Sequence, residues 1–149
     1  MAVYLSNATR KTGLDFGAVE RTVDALLAAL GERGSSVSVS FVRDPKIREL
    51  NRTFRGFDKP TDVLSFPLVD GDDAYPGAER LLGDIVISVD TARRQAADYD
   101  APLDREVQRL LIHGVLHLLG HDHLLPDERA AMEAEERRLA DAIGMPWPY

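Results

Sequence analysis

Residues Val3 to Ser6 alternate weakly between apolar and polar, the pattern of a short strand, and Phe16, Val19, Val23, Leu26, Leu27 and Leu30 then recur at helical spacing. Asp15 is placed to cap that helix and Gly31 to end it. The segment SSVSVSFV, residues 35 to 42, alternates serine with valine or phenylalanine, so it reads as a half-buried strand. Asp44 and Pro45 supply an N-cap and a first-turn proline for a helix whose apolar stripe is Ile47, Leu50 and Phe54 and which stops at Gly56. Val63 to Phe66, closed by Pro67, predicts a short strand suited to a sheet edge.

The stretch from 68 to 80, with VDGDDAYPGAE inside it, is loop chemistry, and Leu81 to Ser88 is β-branched and apolar enough for a buried strand. Three helices follow: one capped by Asp90 and ending near Asp98, one starting at Pro102 or Asp104 and running to Gly120, and one from about Asp127 to Ile143. The pattern predicts an α+β fold, a single domain spanning residues 1–149, with a mixed sheet of about four strands flanked by about five helices. Strand order is not readable from it.

Composition narrows the chemistry. A chain of 149 residues with 44% hydrophobic and 29% charged residues builds one core of ordinary size. With no cysteine, a thiolate zinc site and a disulfide framework are both excluded, and a transition metal must rest on imidazole or carboxylate. The N-terminal residues lack the pattern of a signal peptide and no apolar run approaches bilayer length, so a cytoplasmic protein without a membrane is expected. The net charge of -7 argues against a nucleic-acid coat protein. Its distribution leaves one opening, because residues 1 to 59 carry ten Lys and Arg against seven Asp and Glu, whereas the remainder carries eight against eighteen. Arg48, Arg52, Arg55 and Lys59 fall together in the basic part and are candidates for binding an anionic substrate.

All four histidines fall in HGVLHLLGHDH, residues 113 to 123. Four residues apart on a helix, His113 and His117 direct both rings to one side and can share an ion. On an unbroken helix His121 would stand about 12 Å from His113 along the axis, too far for a common metal. A turn at Gly120 removes that obstacle and favours His123 as the third ligand. The spacing is that of the metzincin zinc signature, except that Gly114 stands where those peptidases carry their general-base glutamate. Three imidazoles would hold one zinc ion with a fourth position open to water, the arrangement of a catalytic centre at the end of a helix. His121 reads as an exposed or supporting residue and Asp122 as a turn residue. Glu133, Glu135 and Glu136 read as a solvated helix face.

These residues also carry a resemblance. HGVLHLLGHDH closely resembles the histidine signature of the YbeY family, endoribonucleases of ribosomal RNA maturation. NRTFRGFDKPTDVLSFP, residues 51 to 67, and LGDIVIS, residues 82 to 88, are similar to two further stretches of that family in the same order. His121 departs from the tyrosine often found there. The resemblance implies zinc at His113, His117 and His123 and a functional arginine at Arg55. From the residues alone Arg55 reads equally as a phosphate clamp or as a surface ion pair with Asp58 or Asp62. Asp84 reads either as a support for a ligand or as a strand-end residue, and Thr61, Asp62 and Ser65 as turn and strand residues.

The activity so implied is zinc-dependent, single-strand-specific cleavage of RNA in small-subunit ribosomal RNA 3'-end maturation and ribosome quality control, with ribosomal RNA and ribosomal proteins as partners. Two other expectations remain open at the level of sequence: a metallopeptidase-like hydrolase, which the zinc spacing suggests and Gly114 disfavours, and a ribosome-associated RNA-binding factor whose zinc is structural.

Overall fold

The structure, a computed structural model, describes residues 3–7, 13–68, 80–122 and 124–146, and within 3–7 the backbone only. Four strands and five helices follow in the order β1 (Val3–Asn7), α1 (Phe16–Ala29), β2 (Ser35–Val42), α2 (Asp44–Arg55), β3 (Val63–Pro67), β4 (Arg80–Ser88), α3 (Val89–Asp98), α4 (Leu103–Leu118) and α5 (Pro126–Ala142). The backbone order of the sheet is β1-β2-β4-β3; β2, β4 and β3 are the three strands whose side chains are described. The parallel pairs are β1 with β2 and β2 with β4, and β3 runs antiparallel along β4. The expected loop at 68–80 lies, from residue 69 to 79, outside the described residues.

Period-two alternation gives the sheet two unequal faces. One carries Val37, Val39, Phe41, Val63, Ile85 and Ile87 into the main core, with α1, α3, α4 and α5 supplying residues such as Leu26, Val89, Leu110, Leu111, Val115 and Leu139. The other carries Val42, Leu64 and Val86, which close on Ile47 of α2 with Leu50 and Phe66 alongside. The serines of β2 are therefore less exposed than the alternation alone suggests: Ser38 and Ser40 are half-buried, and Ser35 and Ser36 are buried. Phe54 departs from its expected place on the apolar stripe of α2. It is 64% exposed, with Phe66 of β3 against it and only Ile47 and Asn51 of α2 buried.

The capping of α2 and α3 differs from the sequence expectation in an instructive way. Asp44 is not the N-cap of α2; Arg43 is, and Asp44 begins the helix. Its carboxylate accepts hydrogen bonds from the Ser88 hydroxyl at 2.6 Å, the Thr91 hydroxyl at 2.7 Å and the Arg94 guanidinium at 2.7 Å. Asp90 is likewise not the N-cap of α3, a place taken by Ser88, but accepts from the Asp44 amide at 3.0 Å and from Arg43 at 2.7 Å. Each helix start thus holds the other's acidic residue, which suits the positive end of both macrodipoles. Burial pushes the Asp44 carboxyl up, yet the bonds from Ser88, Thr91 and Arg94 outweigh it and hold the group below its usual value. Asp90 is held low chiefly by the Asp44 amide, with Arg43 assisting.

Candidate functional site

The site begins with the way two helices end. The α4 helix closes with Leu119 as its cap and Gly120 in the left-handed conformation at φ +95°. His121 N donates to Leu116 O at 3.0 Å and Gly120 N to His117 O at 3.0 Å, a Schellman turn that swings the chain off the helix axis directly after His117. The α2 helix closes at Gly56, also left-handed at φ +78°, and Phe57 N donates back to Asn51 O at 3.3 Å. Buried Asn51 then donates to Lys59 O at 2.9 Å, so the loop after Arg55 folds against its own helix.

The two helix ends meet across β3. A cavity of about 780 Å³ is lined by Phe54 and Arg55 from α2, by Thr61 to Pro67 along β3 and the turn before it, and by His113, His117, Gly120, His121, Asp122 and Leu124. His113 Nε2 and His117 Nε2 stand 3.0 Å apart, and their rings meet nearly edge-on with centroids 4.5 Å apart. Two imidazole nitrogens sharing one zinc at about 2.0–2.1 Å in tetrahedral geometry are roughly 3.3 Å apart, so this pair needs only a small spread to hold one. His123, the third expected ligand, lies outside the described residues. Among the described residues no cluster of three or more His, Cys, Asp or Glu side chains forms a complete metal site.

Behind the pair, Glu136 Oε2 of α5 stands 3.6 Å from His113 Nδ1. Glu136 was expected on a solvated face and is instead buried, at 9% exposure. The signal was present in the sequence, since Met132, Glu136, Leu139 and Ala140 form one stripe at helical spacing and Glu136 is its single polar member. At 3.6 Å the carboxylate is near the ring nitrogen turned away from His117, a position from which a hydrogen bond would orient the ring.

Gly114, between the two histidines, faces the sheet. A Cβ built there would lie 3.0 to 3.2 Å from the Ile85 side chain, so a longer residue at this position would enter the core and not the cavity. The missing glutamate therefore has a packing reason. Ser65 Oγ donates to Gly114 O at 3.2 Å and ties β3 to this turn of α4.

The basic residues divide. Arg55 lines the cavity, and its guanidinium carbon lies 5.6 Å from the centroid of the Phe57 ring. Lys59 Nζ lies 5.7 Å from the same ring, just outside the cavity lining, and Arg52 is exposed on the last turn of α2. Arg48 pairs with Asp58, Nε to Oδ1 at 2.9 Å, and this bond holds Asp58 below its usual carboxylate range while raising Arg48. Asp58 was a candidate partner for Arg55; it is Arg48 that takes it. Asp62, the other candidate, is occupied on the opposite side by Arg109 at 3.5 Å and by the Gln95 amide at 3.3 Å. Buried Glu106 joins this group by accepting from Gln95 and from Arg109. Asp84 sits in mid-strand on β4, paired with Phe66, exposed and away from the cavity lining.

Fold and cavity together define a class: an α+β scaffold that brings a helix-borne imidazole pair and a guanidinium from a second helix to one cavity, a donor set suited to hydrolysis at an anionic centre. The family model described as endoribonuclease YbeY matches residues 5–144, and the chain belongs to that family. It is 48% identical over 133 residues to an endoribonuclease YbeY of Moorella thermoacetica, covering 85% of each chain. It is 44% identical over 132 residues to an endoribonuclease YbeY of Rhodopseudomonas palustris, covering 89% of this chain and 68% of that one. Among solved structures, a solution structure of a Thermotoga maritima protein superposes with a TM-score of 0.63 at 27% identity, covering 95% of this chain and 89% of that one. No helix among the described residues is long and apolar enough to cross a membrane.

Proposed function

We propose that this chain is a zinc-dependent endoribonuclease that cuts single-stranded ribosomal RNA in the cytoplasm, acting in small-subunit 3'-end maturation and ribosome quality control. The observation that carries the reading is that Arg55 lines the same cavity as His113 and His117. His113, His117 and His123 would hold one zinc ion, which when bound supplies Lewis-acid polarisation of a phosphodiester. Arg55 presents forked, cationic donors to the phosphate oxygens, so it orients the phosphodiester and balances the charge that develops on it. Exposed Arg52 and Lys59, three and four residues from Arg55, add positive charge to the same helix end and the loop after it. Arg48 contributes less, because Asp58 balances it. Glu136, 3.6 Å from His113 Nδ1, would help to direct that ring once it moves into hydrogen-bond distance.

The metallopeptidase reading is weakened by Gly114, whose place against Ile85 leaves no room for a general-base carboxylate. The test compares metal content, thermal stability and cleavage of a ribosomal RNA fragment for wild type, His117→Ala and Arg55→Ala. His117→Ala is expected to lose zinc and cleavage. Arg55→Ala is expected to keep zinc and fold while cleavage falls on the order of 10² to 10³-fold, as when one charge-stabilising donor is removed. Zinc-loaded wild type that leaves the RNA intact, or Arg55→Ala that cuts normally, would overturn the proposal.

A further inference from the structure

The geometry points to Phe54 as a stacking platform for an unpaired base, set beside the phosphate position at Arg55; the inference rests on the RNA reading above and names the subsite that selects single strands. Phe54 is 64% exposed and lines the cavity beside Arg55, together with exposed Leu124, so an apolar face is open to a ligand there. Phe66, which lines the same cavity, meets the Phe54 ring nearly edge-on, with centroids 5.2 Å apart and planes at 69°, a contact that favours this placement of the ring. Charge at the patch is positive, since Arg55 adjoins Phe54 in the chain and Lys59 stands over neighbouring Phe57.

An aromatic face next to a guanidinium matches the two halves of a nucleotide. The base takes the ring and the phosphate takes the cation, whatever the base identity, because every base has a π-face. Phe57 plays a different part: its ring lies beneath both Arg55 and Lys59 and positions the cations. In a duplex the bases are already stacked on each other, so the Phe54 platform would be unused and duplex RNA would lose this share of binding.

The experiment measures KM and kcat for cleavage of a single-stranded RNA, together with inhibition by two octamers, oligodeoxyadenylate and an abasic sugar-phosphate chain of the same length. In wild type the base-bearing octamer is expected to inhibit about tenfold more tightly, the lower part of the range for one stacked base. Phe54→Ala should abolish that preference and raise KM by a similar factor with kcat little changed. Phe54→Trp should restore both and Phe54→Leu should not, and circular dichroism and melting of each variant separate lost stacking from lost Phe66 packing. If Phe54→Ala keeps the wild-type preference for bases, the platform is elsewhere and this inference fails while the RNA reading stands. If wild type cleaves no RNA, both fail.

Discussion

At the level of single residues, the account turns on which side chains face the cavity and which face the core. Gly114 faces the core, so Gly114→Glu is expected to lower thermal stability by several kcal/mol through an unpaired buried carboxylate against Ile85, without conferring peptidase activity. Thermal melts and a peptide-cleavage assay check this; a stable Gly114→Glu protein that hydrolyses peptides would restore the metallopeptidase reading. Arg55 and Arg48 are both arginines in the basic stretch but differ in partners. Arg48→Ala should change KM for RNA by no more than about twofold, the scale of an exposed, locally balanced charge, whereas Arg55→Lys should not rescue Arg55→Ala because a lysine lacks the fork. Histidine spacing and the helix-ending Gly120 made the imidazole pair legible in the sequence. Glu136 was readable as the polar member of an apolar stripe, yet its partner was not, because that depends on how α5 crosses α4.

Elements α2 and α3 are coupled through polar side chains where they begin. Asp44 and Asp90 are both held below their usual pKa in the fold, so the stability they contribute is present above the unfolded value of about 3.9 and is lost as pH falls through the folded value. Wild type should therefore lose melting temperature on acidification below about pH 4. Asp90→Asn should melt lower at neutral pH, by an amount equivalent to roughly 0.3–1 kcal/mol, the scale of one charge at a helix N-terminus, and show a flatter acid limb in melts taken across about pH 2 to 7. An unchanged acid limb would show that the reciprocal capping contributes nothing. The sequence placed both aspartates at helix starts because that residue type favours such positions. It could not show the exchange between them, since nothing local in either segment says that the two helix starts are neighbours. Phe54 fell off its expected stripe for a similar reason: periodicity tells which face of α2 is apolar, and not how far along the helix that face is covered.

Across the whole molecule, an acidic chain places Arg55 in the cavity that holds the imidazole pair, with exposed Arg52 and Lys59 close to it in sequence. If Arg52, Arg55 and Lys59 meet three phosphates, the logarithm of RNA affinity should fall against the logarithm of salt with a slope of about −2, small beside that of a nucleic-acid coat protein. Alternation and helical spacing made the mixed α+β class and the extent of most elements legible, because those signals are local. The strand order β1-β2-β4-β3 and the approach of the α2 end to the α4 end were not, because they arise from pairings between segments that are separated in the chain. The central claim is that one zinc ion and Arg55 act together on RNA in this cavity. Its most direct test is a titration of chelator-stripped protein with zinc while cleavage of a single-stranded ribosomal RNA fragment is followed. The account predicts no cleavage without metal and a rise that saturates at one equivalent. Cleavage by the stripped protein, or none at full occupancy, would contradict it.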